Sequence, residues 1–287
     1  MRKVTKFGLI GAGAMALLLA IGLHVRHGMA AGKSTFDTWR AQSGEAHGGT
    51  MIAVNDVRIY YETFGNGRPV LVLHGGLGKL EDMGNHIQAL AATRFVIAPD
   101  SRGHGRSSDS DAPLSYALMA DDMVKVLDAL GIGRVDLVGL SDGGIIGLEI
   151  AMRHPERIGR MVVISANYDV DGLAHKPATV TDIPPVPDFY KRIAADPAHW
   201  PVFYRKVATM WGTQPKFTFA ELAAIQAPTL VMAGDHDLIK RDHTDRLAKA
   251  IPRAEEVIIP GGTHFAVLEK PNVVDPYILR FLDAAPQ

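Results

Sequence analysis

The sequence predicts an α/β fold, a mostly parallel sheet with helices on both faces and an inserted helical segment. Three observations predict it. From residue 50 onward, short apolar runs alternate with longer stretches of helical periodicity, the pattern of strand–helix–strand units. Runs such as Val135-Asp-Leu-Val-Gly-Leu140 are too continuously apolar for a half-exposed strand and read as covered on both faces. The alternation fails between residues 168 and 226, a stretch too long for a plain loop. The core is therefore expected over 50–167 and 227–287, with 168–226 as a cap or lid.

The composition sets outer limits. The chain has 287 residues, 47% hydrophobic and 21% charged, enough to bury a sizeable core. A net charge of −1 without a basic run leaves no electrostatic footprint for nucleic acid. There are no cysteines, so disulfides, thiol chemistry and cysteine metal sites are excluded. The 12 histidines show no H-E-x-x-H or comparable ligand spacing. Neither a metal nor another cofactor is expected, and the expected partner is a small molecule.

The first 30 residues read as an export signal. Arg2, Lys3 and Lys6 precede the apolar run from Phe7 to Leu23, and Gly28-Met-Ala30 puts small residues where a cleavage after Ala30 needs them. Cleavage would place the protein in the periplasm or outside the cell. The alternative is an uncleaved membrane tether through residues 7–23, a run at the lower limit for spanning a bilayer. Residues 31–49 are polar and glycine-containing and read as a flexible tether.

The elements follow in order. Met51–Val54 and Val57–Thr63 form a hairpin around Asn55-Asp56, a turn-forming pair. Pro69–Leu73 is a buried strand running into His74-Gly-Gly, followed by a helix over about Glu81 to Ala92 and a strand at Phe95–Ala98. Ser115 to Leu130 is helical, with Leu118, Met119, Met123, Val126, Leu127 and Leu130 on one stripe. The strand from Val135 turns sharply at Gly139-Leu-Ser141-Asp-Gly143 into a helix ending near His154-Pro155. Strands at Met161–Ile164, Pro228–Met232 and Glu256–Ile259 follow, with helices over Arg241–Ala250 and Val273–Leu282.

The chemistry starts from that turn. G-x-S-x-G between a strand and a helix is the pattern of a nucleophile elbow. Its glycines allow a strained serine to stand above the sheet at a helix N-terminus, where partial positive charge favours an oxyanion. A serine hydroxyl needs a base that an acid orients. Asp235, Asp237 and His264 all follow strands, at the carboxyl edge of the sheet where such folds place their sites.

With these residues in place, the chain resembles the α/β-hydrolase family from about Met51 to Leu282. The matching stretches are His74-Gly-Gly, Asp100-x-Arg-Gly-His-Gly-x-Ser107, the Ser141 elbow, Gly234-x-x-Asp237, and Gly262-x-His264 followed by Glu269-x-Pro271. The resemblance implies Ser141 as nucleophile, His264 as base and then acid, and Asp237 as the orienting carboxylate, with Asp235 as its rival. It implies an oxyanion hole from the N–H groups of Gly76 and Asp142, with Leu77 as neighbouring candidate. His74, Asp100, Arg102, His104 and Ser107 are expected to pin loops. Leu77, Asp142, Trp200, Trp211 and Phe265 are candidates for the substrate wall. The Ser-Asp-Gly-Gly run is similar to valacyclovir hydrolase-like esterases, in which the acidic residue meets the substrate's amino group.

The implied activity is an exported serine hydrolase acting on carboxylic esters or lactones through an acyl-enzyme. A cofactor-independent perhydrolase, a C–C bond hydrolase, an aminopeptidase or a low-turnover ligand receptor would use the same scaffold.

Overall fold

The structure, a computed structural model, describes residues 36–41, 49–174 and 183–285. Its framework is an eight-stranded sheet: β1 (Thr50–Val54), β2 (Val57–Phe64), β3 (Arg68–Leu73), β4 (Arg94–Pro99), β5 (Val135–Leu140), β6 (Ile158–Ile164), β7 (Thr229–His236) and β8 (Ala254–Thr263). The spatial order is β1-β2-β4-β3-β5-β6-β7-β8. Only β2 runs against its neighbours; every other pairing is parallel.

Strand β5 shows why the sheet needs two covers. Val135 and Leu137 belong to the apolar cluster on one face, while Val138 and Leu140 belong to the cluster on the other. Side chains two residues apart share a face, so a run apolar at both parities must be buried twice. Asp136 interrupts that run and is itself buried. It is held by Arg94 at 2.7 Å and by the Arg160 N–H at 2.9 Å, the pairing a buried charge requires.

Helices are numbered from α1 at residues 36–41, then α2 (Gly84–Ala91), α3 (Tyr116–Ala129), α4 (Asp142–Arg153), α5 (Asp188–Ile193), α6 (Trp200–Thr213), α7 (Phe219–Ala223), α8 (Arg241–Ala250), α9 (Ala266–Glu269) and α10 (Pro271–Asp283). The helix expected over Glu81–Ala92 is divided into a 3-10 turn, Leu80–Met83, and α2. Gly84 sits at the break, where a Cβ would come within 2.6 Å of the Phe36 ring.

That contact corrects part of the expected tether. Residues 36–41 are helical, and Phe36 is fully buried, stacked on Trp39 at 5.6 Å and edge-on to Phe64 at 5.9 Å. Arg40 pairs with Glu62 and Glu81. Two aromatic rings in a nominally polar stretch supply enough apolar area to dock it on the core. The expected export signal and the rest of the tether, residues 1–35 and 42–48, lie outside the described residues.

Between β6 and β7 the chain leaves the sheet and forms α5, α6 and α7. Tyr190, Trp200, Phe203 and Tyr204 pack on one another with ring centroids 5.0–6.1 Å apart. Several contacts seat this insertion on the core, two of them beside the candidate site. Phe203 meets the edge of His104 at 4.8 Å, and Trp211 donates its indole N–H to Asp142.

Candidate active site

The turn from β5 into α4 is tightly closed. A Cβ on Gly139 would lie 2.4 Å from the Gly143 carbonyl, and one on Gly143 would lie 2.5 Å from that of Leu73. Only glycine fits either position. Ser141 between them has φ 51° and ψ −117°, a conformation worth about 1–3 kcal/mol of strain. Its N–H is held by the Ile164 carbonyl at 2.7 Å.

Three side chains from three loops then meet. Ser141 Oγ lies 3.1 Å from His264 Nε2, and His264 Nδ1 lies 2.7 Å from Asp237 Oδ1. A carboxylate only accepts, so Nδ1 carries the proton and Nε2 presents its lone pair to the serine hydroxyl. Asp237 has further support: the Ser165 hydroxyl donates to Oδ2 at 2.6 Å and the Ile239 N–H to Oδ1 at 3.0 Å. Burial pushes the Asp237 carboxyl up, yet His264, Ser165 and the Ile239 N–H together hold it below its ordinary 3.8.

Asp235 is not part of this chain. It lies within the extension of β7, is exposed, and bonds the neighbouring His236 at 2.7 Å. The register of β7 against β8 shifts between Gly234 and His236, so the two carboxylates two residues apart end in different places.

His74 holds the loop after β3. Its Nε2 accepts the Ser101 N–H at 3.0 Å, which leaves the proton on Nδ1, 2.7 Å from the Gly75 carbonyl. Asp100 receives the Leu80 and Arg106 N–H groups at 2.8 and 2.9 Å. Arg102 is buried between Asp122 at 2.7 Å and Asp56 at 2.7 Å, and the Ser107 hydroxyl donates to the Asp100 carbonyl at 2.6 Å. His104 donates from Nδ1 to the Arg102 carbonyl at 2.8 Å. Burial, with His74 beside it, pushes its imidazole down to about 3, so it is neutral. Each of these polar groups binds a loop.

A cavity of about 260 Å³ is bordered by Gly75, Gly76 and Leu140, the residue before Ser141. Leu77 and Phe265 line it, as the sequence suggested, and Phe189 and Leu268 complete its apolar wall. Trp200 does not reach it. That residue is 2% exposed, bonded to the Pro184 carbonyl at 2.9 Å and packed inside the insertion. Trp211 lies against Gly76 and Asp142 instead of lining the cavity.

Asp142 departs furthest from expectation. It opens α4, so its N–H is one of the helix's unclaimed first donors. Its side chain is buried and receives the Tyr116 hydroxyl at 2.9 Å and the Trp211 indole at 2.9 and 3.0 Å. Burial outweighs these neutral donors and holds the Asp142 carboxyl above its ordinary value.

Besides the wall residues Phe189 and Leu268, two contributors escaped the sequence reading. Ser165 follows the end of β6, so the sheet edge that carries the other groups was a usable signal for it. Tyr116 gave none, being simply the first residue of an apolar helical stripe.

The sequence profile of the Alpha/beta hydrolase family matches residues 70–275, and the chain belongs to that family. It is a hydrolase of the α/β class. Among its relatives, RutD of Azorhizobium caulinodans, a proposed carbamate hydrolase, is 31% identical over 82% of this chain and 97% of its own. A hydrolase structure from Pseudomonas aeruginosa is 27% identical, with a TM-score of 0.68 over 83% of this chain and 100% of that one. Est816, described as an N-acyl homoserine lactone degrading enzyme, is 29% identical, with a TM-score of 0.66 over 81% of this chain and 100% of its own.

Proposed function

We propose that the protein is a serine hydrolase that cleaves carboxylic esters or lactones through an acyl-enzyme. The observation that carries this reading is the unbroken hydrogen-bond chain from Ser141 through His264 to Asp237. In this mechanism His264 Nε2 takes the Ser141 proton as Oγ attacks the carbonyl carbon. The oxyanion forms against the N–H groups of Asp142 and Gly76, each such donor worth about 3 kcal/mol in the transition state. Collapse breaks the bond to the alkoxide, which leaves with the proton from His264. A water then gives its proton to the same nitrogen, attacks the acyl carbon, and releases the acid and the free serine. The apolar wall of Leu77, Phe189, Phe265 and Leu268 suits a hydrophobic acyl chain.

The relatives described as a lactone-degrading enzyme and as a proposed carbamate hydrolase favour the same acyl-transfer chemistry. The reading extends to export through residues 1–30, since the positive, apolar and small-residue regions stand in the order a signal requires.

The test is turnover of p-nitrophenyl esters from acetate to octanoate, an acyl lactone and an aryl carbamate by the chain from residue 31 onward. We expect ester or lactone turnover that disappears in Ser141→Ala. Turnover retained by that variant, or none by folded wild type on esters and lactones, overturns the reading. For export, the mass of the protein recovered from the periplasm or medium should begin at Ala31.

A further inference from the structure

Asp142 contributes a backbone N–H to the proposed oxyanion hole, but its side chain faces elsewhere and is fully occupied. The carboxylate is 5% exposed, with Tyr116 from α3 on one oxygen and the Trp211 indole from α6 bridging both. Tyr116 is buried too, and burial together with the Asp142 charge holds its hydroxyl well above 10, so it remains a donor. A substrate amine would have to displace Trp211 to reach this carboxylate.

The same group presses on the other half of the hole. A Cβ on Gly76 would stand 2.3 Å from Asp142 Oδ2 and 2.5 Å from Trp211 Cζ2. Gly76 therefore rests its backbone directly on the carboxylate–indole pair. The next residue, Leu77, has φ +57°, which a leucine adopts only under restraint. Restraint comes from one side through the Gly75 carbonyl, which receives His74 Nδ1 at 2.7 Å and the Gly78 N–H at 3.1 Å. From the other side it comes from Asp142 and Trp211. The Gly75–Gly76 and Gly76–Leu77 peptides, which carry the Gly76 and Leu77 N–H groups, are thus clamped between a histidine and this pair.

We propose that the Asp142 side chain is a positioning residue that ties the insertion to the oxyanion loop: Trp211 seats on its carboxylate, and the pair sets the peptides on either side of Gly76. This rests on the hydrolase reading above. The hole takes its working shape only when α6 is seated, so the packing of the insertion and stabilisation of the oxyanion are linked. Misplacing a donor by about 1 Å weakens the transition state far more than the ground state.

The experiment compares wild type, Trp211→Phe, Asp142→Ala and the double variant on a p-nitrophenyl ester, with an alkylboronic acid as tetrahedral mimic and melting curves for each. Trp211→Phe keeps an aromatic ring but removes the indole donor and the Cζ2 edge that lies against Gly76, so it is the variant expected to fold normally while breaking the pair. We expect its kcat to fall about 10- to 100-fold, with KM within about twofold and boronate affinity reduced by the same factor as kcat. The double variant should lose no more than Asp142→Ala alone, since both break one unit. Wild-type kcat and boronate affinity in Trp211→Phe, whatever its melting point, overturn the proposal. So does a wild-type preference for an α-aminoacyl ester over its des-amino analogue that Asp142→Asn abolishes, because the carboxylate would then bind substrate. Turnover surviving in Ser141→Ala would instead remove the hydrolase reading itself.

Discussion

Two carboxylates flank Ser141, both nearly out of water, and their surroundings push them in opposite directions. Asp237 faces an imidazole, a hydroxyl and an amide N–H, and sits below its ordinary value. Asp142 faces a phenol and an indole, and sits above it. Burial raises both carboxyls; what differs is whether the partners favour the charged form strongly enough to overcome it. Asp237 can gain a full ionic partner when His264 takes up a proton, whereas the donors of Asp142 stay neutral. The lesson is that depth of burial alone says nothing of a carboxylate's role. The partner set does, and here it separates a group suited to stabilising a transient imidazolium from one suited to holding structure.

The comparison can be broken most forcefully at Asp237. Replacing it with asparagine leaves the shape but lets His264 adopt the wrong tautomer, and on the proposed chemistry kcat should fall by about 10⁴-fold. Asp235→Ala should stay within about twofold of wild type in the same assay. Equal losses in the two variants would mean that the exposed carboxylate shares the work.

A smaller effect is expected at Ser165. Its hydroxyl donates to Asp237 Oδ2, and a hydrogen bond to a charged group contributes about 1.5–3 kcal/mol. Ser165→Ala should lower kcat/KM about tenfold and raise the Asp237 pKa, which NMR titration of the carboxyl would follow. An unchanged Asp237 titration would assign its low pKa to His264 and the Ile239 amide alone.

The smallest effect is on stability in acid. Asp237, with its pKa lowered below 3.8 in the fold, contributes stability that is complete above 3.8 and lost as pH falls through the folded value. Asp142, with its pKa raised, imposes a cost at neutral pH that is relieved as pH falls through its folded value towards 3.8. Urea midpoints from pH 7 to pH 4 should therefore show wild type gaining on Asp142→Asn towards acid, and no such gain over Asp237→Asn. Parallel curves for the two variants would erase the distinction between the carboxylates.

Much of this was legible in the residues. The eight strands are short runs apolar at one or both parities, and their burial repeats that pattern: Val135 and Leu137 on one face, Val138 and Leu140 on the other. The elbow glycines were readable for the same kind of reason, since a turn this close admits no Cβ at Gly139 or Gly143. The register shift in β7 was not readable, so Asp235 and Asp237 stood as rivals until the fold separated them. Phe36 and Trp39 were visible as aromatics in a polar stretch, but the groove that receives them is made by Phe64 and Gly84.

By itself, then, the sequence determined the α/β architecture, the order of the site's loops and the residue types able to carry acyl transfer. All of these follow from local periodicity, chain order and side-chain chemistry. The tertiary structure decided which carboxylate meets His264, that Ser165 supports it, that Trp200 belongs to the insertion's own core, and that Asp142 is shut in by Tyr116 and Trp211. Those outcomes depend on contacts between segments up to 72 residues apart, such as Ser165 and Asp237. No local pattern encodes them, because the partner of a buried polar group is chosen by packing across the whole domain.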